Sequence, residues 1–462
     1  MFSNNQSSTK VCFSTDLTMD DCCTYKSFIC EAPANCREIR IHFSYSPYIV
    51  GEFRNLISLA LFDPLVFRGW VYPFEDGRDL IISSQTASDG FISNPITEGE
   101  WNLFVAIPAL ISEEPCTLTL EVEFVLAGVS DSLAKKLEFQ NCLSDKSGWY
   151  RGELHTHTVH SDGQWKGAEL VEAAKERGLD FLMVTDHNTI SGWEDVLTTA
   201  KDDILIVPGV EITSFYGHAL ALGVEHWIDC RIGWEEWTMN DAALAVREER
   251  GCFLVAHPLA EGRPYCAGCR WEYPEFDMSL ADGIEVWNAL WTDVTLNNDQ
   301  SLLLWEDYRK KGYKLTATSG CDVHDADAWK DGTPYSFVYS ETLSRKEIIE
   351  GIRDGKVVIS SGPWLNIKSA EGVDTKPTII GDTLIVEKDK LVLVVQYDNV
   401  LTESWLVLKK NFQELVRILV VGSGQIEREI PIYETAQITV ELRTSDNTLL
   451  ALTNPVHALV QG

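Results

Sequence analysis

The stretch AELVEAAKERGLDFLMVTDHNTISG (residues 168–192) combines an amphipathic helix pattern, a short apolar run and a polar turn. Apolar residues in 168–179 recur at spacings of three and four, which predicts a helix, and FLMVT (181–185) predicts a buried strand. Asp186 and His187 follow this strand directly. A helix that alternates with a buried strand is typical of parallel α/β folds, in which functional side chains lie where the strands end.

The same alternation extends over residues 148–366. The predicted strands lie at 181–185, 204–212, 252–258, 283–288 and 314–320, and the predicted helices at 168–179, 241–251, 301–312 and 344–355. Several of these helices end in basic residues followed by glycine, which is a common signal for a helix C-terminus. The segment therefore predicts a parallel α/β domain.

The two flanking segments show the two-residue alternation of half-buried strands. The alternating stretches are EIRIHFSYS (38–46), WNLFVAIPA (101–109), TLTLEVEFVLA (117–127), KLVLVVQYD (390–398), SWLVLKKN (404–411) and AQITVELRT (436–444). Such strands bury one face and expose the other to solvent. We predict an N-terminal β-sandwich at 1–147, the α/β domain at 148–366 and a smaller C-terminal β-sandwich at 367–462, a division that suits a chain of 462 residues.

The chain has a formal charge of −32 at pH 7. This charge repels phosphate backbones and no basic cluster opposes it, so a nucleic-acid polymer is not an expected partner. A small anionic substrate remains compatible, because bound divalent cations would dominate the charge of a site locally. The first residues resemble no signal peptide and no stretch is apolar enough to span a bilayer, which predicts a soluble cytoplasmic protein without a membrane partner. The oligomeric state stays open.

Twelve cysteines are scattered along the chain. Without a secretory signal, this distribution favours free thiols. Cys266 and Cys269 form a CAGC motif, but a zinc ribbon would need a second such pair, and a thioredoxin-like motif would open a helix after a strand. We interpret them as ordinary loop cysteines.

His, Asp and Glu residues follow consecutive predicted strands. Eight of the ten histidines fall between positions 155 and 324. In GELHTHT (152–158), His155 and His157 are two residues apart and so project from one face of a strand. The other residues at or just after strand ends are Asp162, Asp186, His187, Glu211, His218, His257, Asp322 and His324. A single histidine in such a position more often has a structural role. Ten His, Asp and Glu residues at successive strand ends are poorly explained as residues of a hydrophobic core.

Imidazole and carboxylate donors without thiolates suit zinc, iron or manganese. The set exceeds what one tetrahedral ion binds, so we predict two or three divalent transition-metal ions. Glu211 is the only glutamate in the set and is the candidate bridging ligand. Closely spaced ions can activate a water and stabilise the attacking and leaving oxygens of a displacement.

The motifs HTH with SDG, TDHN, GVE, GH, AHP and SGCDVH resemble, in this order, those of the PHP (polymerase and histidinol phosphatase) superfamily. The stretches ERGLDFLMVTDHNTISG and GVEITSFYGHALALG resemble its CehA/McbA-type branch, as do SSGP (360–363) and LFDPLVFRGW (61–70). The resemblance is most specific within 149–363. It implies a distorted (β/α)7 PHP barrel, flanked here by the two β-sandwiches, and a metal-dependent hydrolase.

Carried over by position, the resemblance implies three ions and their ligands. These are His155, His157, Glu211 and Asp322 for the first ion, Glu211, His218 and His257 for the second, and Asp162, His187 and His324 for the third. It gives a catalytic role to Glu211, His218 and His257, and to Asp186 as a residue that orients a ligand. Two positions depart from the usual pattern, since Asp162 replaces a histidine of some members and His218 follows Glu211 unusually closely.

Three other residues near these motifs are candidates for the site. We predict that Arg151 and Arg263 bind a substrate oxyanion, although solvated arginines are the plainer interpretation. His160 shares a loop with Asp162, and we expect it to form hydrogen bonds rather than bind a metal.

The predicted function is hydrolysis of a small phosphate mono- or diester by a metal-activated hydroxide at a di- or trinuclear site. A carboxylester or carbamate hydrolase is an alternative, because the same site serves either electrophile. An alternative of another class is a metal-stabilised, non-catalytic ligand-binding protein, against which the intact ligand set argues. The acidity of the chain disfavours a polymerase-associated proofreading module.

Overall fold

The structure is a computed structural model that describes residues 7–72, 77–126, 137–262, 266, 268–369, 379–386 and 389–460. Its N-terminal part contains a 3-10 turn, Met19–Asp21, and ten strands, β1 (Ser7–Leu17), β2 (Thr24–Ala32), β3 (Cys36–Ser46), β4 (Ile49–Val50), β5 (Phe53–Arg54), β6 (Leu56–Phe62), β7 (Phe67–Val71), β8 (Gly77–Ser83), β9 (Gly99–Ala109) and β10 (Cys116–Leu126). Alternate residues of β10 are buried, so that one face of the strand forms core.

Eight of these strands form two antiparallel sheets. The strand orders are β1–β10–β3–β8 and β2–β9–β6–β7. Leu120 and Ile41 of the first sheet and Leu59 and Leu103 of the second belong to one buried core. This arrangement is a β-sandwich.

The central part alternates strands with helices. Its elements are β11 (Cys142–Ser144), β12 (Gly148–Glu153), α1 (Gly167–Glu176), β13 (Phe181–Val184), α2 (Trp193–Ala200), β14 (Leu205–Thr213), β15 (His218–Leu222), α3 (Met239–Glu248), β16 (Cys252–Val255), β17 (Gly283–Asn288), α4 (Thr295–Lys310), β18 (Thr316–Gly320), β19 (Tyr335–Ser340), β20 (Leu343–Ser344), α5 (Arg345–Arg353) and β21 (Val357–Ser360). α3 begins two residues before the predicted helix at 241–251, after Thr238, whose hydroxyl accepts a hydrogen bond from the Asp241 amide at 3.2 Å.

Nine of the central strands lie in one sheet of order β18–β17–β16–β15–β14–β13–β12–β19–β21, and β11 pairs with β20 separately. Its pairs are parallel in β12–β13, β13–β14, β16–β17 and β17–β18 but antiparallel around β15 and β19. In the part of the chain that the structure describes, these strands do not close into a barrel, so the expected (β/α)7 barrel is corrected to a mixed α/β sheet. The β/α alternation is interrupted because β15 follows β14 as an antiparallel hairpin without a crossover helix.

The C-terminal strands continue the same sheet. They are β22 (Trp364–Ser369), β23 (Thr383–Val386), β24 (Lys390–Lys410), β25 (Gln413–Pro431), β26 (Ala436–Arg443), β27 (Leu449–Thr453) and β28 (Val456–Val460), and β21 pairs with β27. The predicted strands at 390–398 and 404–411 are two parts of β24. The domain boundary at 366 stays a prediction, because β22 spans it.

Among the described residues, no helix has the length and apolar character needed to cross a membrane. Cys266 and Cys269 are joined by a disulfide, so the prediction of free loop thiols is wrong for this pair. In the described part of the chain, the other ten cysteines form no disulfide, as expected.

Candidate metal centre

Four side chains from three strands or their ends converge on one site. His155 and His157 follow β12, Glu211 lies on β14 and Asp322 follows β18. His155 Nε2 lies 3.3 Å from Glu211 Oε2 and 3.3 Å from Asp322 Oδ1. His157 Nε2 lies 3.4 Å and 2.9 Å from the same two oxygens. The sequence predicted this set of four as the first ligand group.

These four converging atoms fit a divalent ion. Each is buried and has no hydrogen-bond partner among the described residues, which is costly unless another group satisfies it. Bonds of 2.0–2.2 Å to a tetrahedral ion place neighbouring ligand atoms about 3.4 Å apart. The observed separations of 2.9–3.4 Å are therefore close to those of a metal site.

A second group shares Glu211. The other carboxylate oxygen, Oε1, lies 2.9 Å from His218 Nδ1 and 3.1 Å from His257 Nε2. One carboxylate therefore presents an oxygen to each of two donor groups, which is the geometry of a bridging ligand. His257 has a backbone φ of +24° and Asp322 of +52°, conformations that non-glycine residues rarely adopt and that are common at functional sites.

A third group surrounds Asp162. Its Oδ1 lies 3.2 Å from His324 Nε2, and its Oδ2 lies 3.4 Å from His187 Nε2. The Nδ1 atom of His187 lies 2.8 Å from Glu211 Oε2, so this group adjoins the bridging carboxylate. The structure thus brings all nine predicted ligands into one contiguous cluster.

Charge and burial set the protonation of this cluster. Burial alone would raise the pKa of Glu211, but the charges of His187, His155 and His218 hold it well below its ordinary value. Burial, followed by the charges of His324 and His187, lowers the pKa of His157 to about 4. A carboxylate and a neutral imidazole are the states that donate lone pairs to a metal.

Asp186 supports the cluster through a loop. Its Oδ1 accepts hydrogen bonds from the Thr158 amide at 2.8 Å and from the Ser161 hydroxyl at 2.7 Å. The Ser161 oxygen in turn lies 3.4 Å from His157 Nδ1. Asp186 therefore reaches a predicted ligand through Ser161 rather than directly.

Sequence reasoning missed two buried glutamates. Glu285 Oε2 lies 2.9 Å from His155 Nδ1, and its other oxygen accepts a hydrogen bond from Asn288 at 2.6 Å. A carboxylate behind a ligating histidine orients the ring. The available signal was an acidic residue inside the otherwise apolar strand GIEVWN.

Glu153 joins the ends of two strands. Its Oε1 accepts the amides of Leu154 and His155 at 3.0 Å and that of Cys321 at 2.9 Å. Burial raises the pKa of Glu153 to about 7. These bonds fix the backbone immediately beside His155 and Asp322.

Of the predicted anion clamp, the structure describes Arg151 alone. The Arg151 guanidinium lies 3.9 Å above the Tyr335 ring and donates to the Arg177 carbonyl at 3.0 Å, because Arg151 lies within β12 whereas the ligands follow its carboxyl end. The structure therefore does not bring Arg151 to the cluster. Arg263 lies outside the described residues. His160 Nδ1 lies 2.9 Å from the Ser191 hydroxyl, in keeping with a hydrogen-bonding role.

A cavity of about 130 Å³, here called the interdomain pocket, opens beside the cluster. Its cluster side includes Asp162, His187 and His218, and its opposite wall comes from the N-terminal sandwich. Cys266 also lines it, and a sulfur of Cys266, a sulfur of Cys269 and a ring nitrogen of His218 lie within 4.8 Å of one another.

Residues 153–346 match the family model for the PHP domain. This segment contains all nine predicted ligands and supports the PHP superfamily for the central part of the chain. The CehA/McbA-type branch stays a prediction.

Individual relatives match parts of the chain. An uncharacterized protein from Methanocaldococcus jannaschii is 28% identical over 160 residues, which are 32% of this chain and 87% of that protein. A phosphoribosyl 1,2-cyclic phosphate 1,2-diphosphodiesterase from Eggerthella lenta is 32% identical over 84 residues, which are 16% of this chain and 30% of that enzyme. The chain thus spans less than a third of that enzyme's length.

Among solved structures, a two-domain protein from Bacteroides vulgatus contains a predicted PHP-like metal-dependent phosphoesterase and is 16% identical to this chain. The match covers 70% of this chain and 100% of that one, with a TM-score of 0.40. A TM-score of this size is too low to transfer fold or activity.

Proposed function

We propose that this protein is a metal-dependent hydrolase that acts on a small phosphate mono- or diester. The observation that carries the proposal is the convergence of four buried, unpartnered donor atoms from His155, His157, Glu211 and Asp322. Their position within a segment that matches the PHP domain supports the same reaction class.

The residues divide into groups that would hold two or three zinc, manganese or iron ions. His155, His157, Glu211 and Asp322 would hold the first, Glu211, His218 and His257 the second, and Asp162, His187 and His324 the third. When bound, such ions supply an activated water and offset the negative charge of phosphoryl oxygens.

The chain's own residues would keep these donors in position. Glu211 is fully buried and places its two oxygens between two groups. Glu285 would orient His155, and Asp186 would hold the loop that carries His157 and Asp162. Positioning of this kind reduces the reorganisation needed during catalysis.

Carboxylester or carbamate hydrolysis is the second candidate. The observation that favours it is the apolar far wall of the interdomain pocket, formed by residues such as Leu56, Ile57 and Trp70. A neutral ester needs no charged clamp, and the structure does not bring Arg151 to the site, where Arg54 is the arginine that lines the pocket.

An activity screen of metal-reconstituted protein tests the proposal. Phosphomonoesters, phosphodiesters, carboxylesters and carbamates are compared, with metal-free protein as the control. We expect metal-dependent turnover that is fastest for a phosphoester. Faster turnover of carbamates or carboxylesters would replace the proposal by the second candidate, and ion binding without any turnover would favour a non-catalytic ligand-binding protein.

The net charge of −32 restricts the kinds of substrate and partner that we propose. A small soluble anion would be the substrate, and a nucleic-acid polymer or membrane would not be a partner. A cytoplasmic location stays a prediction.

A further inference from the structure

The N-terminal sandwich forms a wall of the interdomain pocket, next to the metal centre. Residues from β2, the β6–β7 region and β9 line it, opposite Asp162, His187 and His218. A molecule that reaches the cluster through this pocket therefore places its adjoining group against the sandwich. The apolar side chains available to that group include Leu56, Ile57, Trp70, Ala106 and Phe215.

Hydrogen bonds and ring stacking fix this wall relative to the metal centre. The Tyr72 hydroxyl accepts a hydrogen bond from Asn188 Nδ2 at 2.8 Å, one residue after the predicted ligand His187. The Tyr25 hydroxyl donates to the Ile232 carbonyl at 3.0 Å. Phe67 stacks on Trp227 with ring centroids 4.0 Å apart. The sandwich is thus docked by aromatic and polar contacts and presents a preformed surface.

The size and chemistry of the pocket restrict what it can accept. Its volume of about 130 Å³ is close to the cavity of about 150 Å³ that holds benzene in an engineered protein. The indole nitrogen of Trp70 already donates to the Ser58 hydroxyl at 2.9 Å, so this side chain offers the pocket only apolar surface. The sandwich also contributes Arg54, Tyr25 and Tyr72 to the lining, and the two tyrosine hydroxyls are already hydrogen-bonded to Ile232 and Asn188. Against Leu56, Ile57 and Trp70 an apolar group of about one ring fits, whereas a hydroxyl buried there would lose its hydrogen bonds to water.

We propose that the N-terminal sandwich is the specificity element of the hydrolase and that the substrate carries an uncharged, apolar group of about one aromatic ring beside the scissile ester. The inference rests on the proposed function and extends it from the reacting group to its neighbour. Buried apolar contact in such a pocket discriminates substrates by roughly 10-fold to 200-fold for each methylene-sized difference.

The test compares benzyl phosphate with glycerol 1-phosphate, since both release an aliphatic alcohol from the same phosphate group. We expect the metal-loaded protein to show a kcat/KM for benzyl phosphate at least about tenfold higher. Leu56→Asp, which places a charge in the pocket wall, should lower the ratio of the two values at least about tenfold.

The controls separate specificity from folding. Leu65→Asp alters a leucine of the same domain that is 77% exposed and does not line the pocket, and it should keep the wild-type ratio. Leu56→Thr is a milder second variant that should shift the ratio in the same direction as Leu56→Asp. Bound-ion content and thermal unfolding establish that each variant is folded.

The outcomes distinguish this inference from the proposed function. If both phosphates are hydrolysed equally well, or if Leu56→Asp slows both by the same factor, the inference is overturned while the phosphoesterase proposal stands. If neither is hydrolysed, the phosphoesterase proposal fails, and binding of benzylphosphonate and 2-hydroxyethylphosphonate decides the inference. A Kd at least about tenfold lower for benzylphosphonate supports it, and equal or absent binding overturns it.

Discussion

The metal centre and a buried ion-pair cluster under the C-terminal strands both bury carboxylates, but they provide them with different partners. In the ion-pair cluster, Lys409 Nζ lies 2.8 Å from Glu306 Oε1 and also meets Glu441. Arg443 Nε lies 2.6 Å from the other oxygen of Glu441. Two acidic and two basic side chains thus balance one another, and they join α4 to β24 and β26.

The metal centre has no such balance. The described ion-pair partners of Glu211 and Asp322 are histidines alone, and several facing atoms lack hydrogen bonds. Without a lysine or arginine beside them, these buried carboxylates depend for positive charge on the histidines themselves or on bound cations. The absence of a lysine or arginine partner among the described residues, rather than burial itself, therefore distinguishes the candidate cation site from the ion-pair cluster.

The largest expected effect is that of Glu211→Gln in the metal centre. Removal of the charge shared by two donor groups should reduce activity by more than about 100-fold, exceeding the loss typical for residues behind the ligands, and should lower the ion content. Steady-state kinetics and elemental analysis measure both. The matched variant His160→Ala, whose partner is Ser191, should lose less than about tenfold. Equal losses in two folded variants would mean that the ligand assignment is wrong.

Lys409→Met tests the contribution of the ion-pair cluster to stability. It leaves buried Glu441 with Arg443 and buried Glu306 with only the half-exposed Lys310, 3.7 Å away, so the free energy of unfolding should fall by about 3–5 kcal/mol. Urea denaturation measures this change, and ion content should stay at the wild-type value. The exposed pair of Lys390 and Glu429 provides the control, since Lys390→Met should cost less than about 1 kcal/mol. A loss of bound ions with unchanged stability would reverse the roles of the two clusters.

Glu285→Gln tests the role of the carboxylate that contacts His155 in the metal centre. A neutral side chain behind His155 orients and polarises the ring less well, so metal affinity should fall about 10-fold to 100-fold. Competition with a chelator of known affinity measures the change. Glu172→Gln, on the exposed face of α1, should leave the affinity unaltered. An unaltered affinity in Glu285→Gln as well would show that the contact with His155 has no role in binding.

The smallest effect is expected for Arg151→Met. Because the guanidinium contacts Tyr335 and the Arg177 carbonyl, its loss should cost about 1 kcal/mol of stability and change activity less than about twofold. Thermal unfolding and the KM for a phosphoester are the measurements. A tenfold rise in KM would restore the substrate-binding role that the sequence suggested.

Much of the fold and the ligand set was predictable because both follow from local pattern. The run 283–288 is the strand β17 as predicted, and FLMVT differs from β13 by one residue. The ligands lie at or just after strand ends, so the positions of the strands in the sequence predicted that the ligands converge. The coarse α/β class is confirmed, and the match of residues 153–346 to the PHP domain model supports the resemblance seen in the sequence.

Other features depend on pairing that sequence periodicity does not encode. HALAL forms the antiparallel strand β15, and α2 is only eight residues long, so neither gives a clear periodic signal. The roles of Glu285 and Glu153 require knowledge of which strands are neighbours. Likewise, the approach of Trp70 to the cluster depends on how the sandwich docks, which no single motif reveals.

Bound cations, rather than lysine or arginine side chains, are expected to neutralise the buried carboxylates of the metal centre. Elemental analysis of protein purified without chelator and supplied with Mn²⁺, Fe²⁺ or Zn²⁺ tests this expectation most directly. We expect at least two bound ions per chain in the wild type and in Lys409→Met, and fewer in Glu211→Gln. Less than one ion per wild-type chain would contradict it.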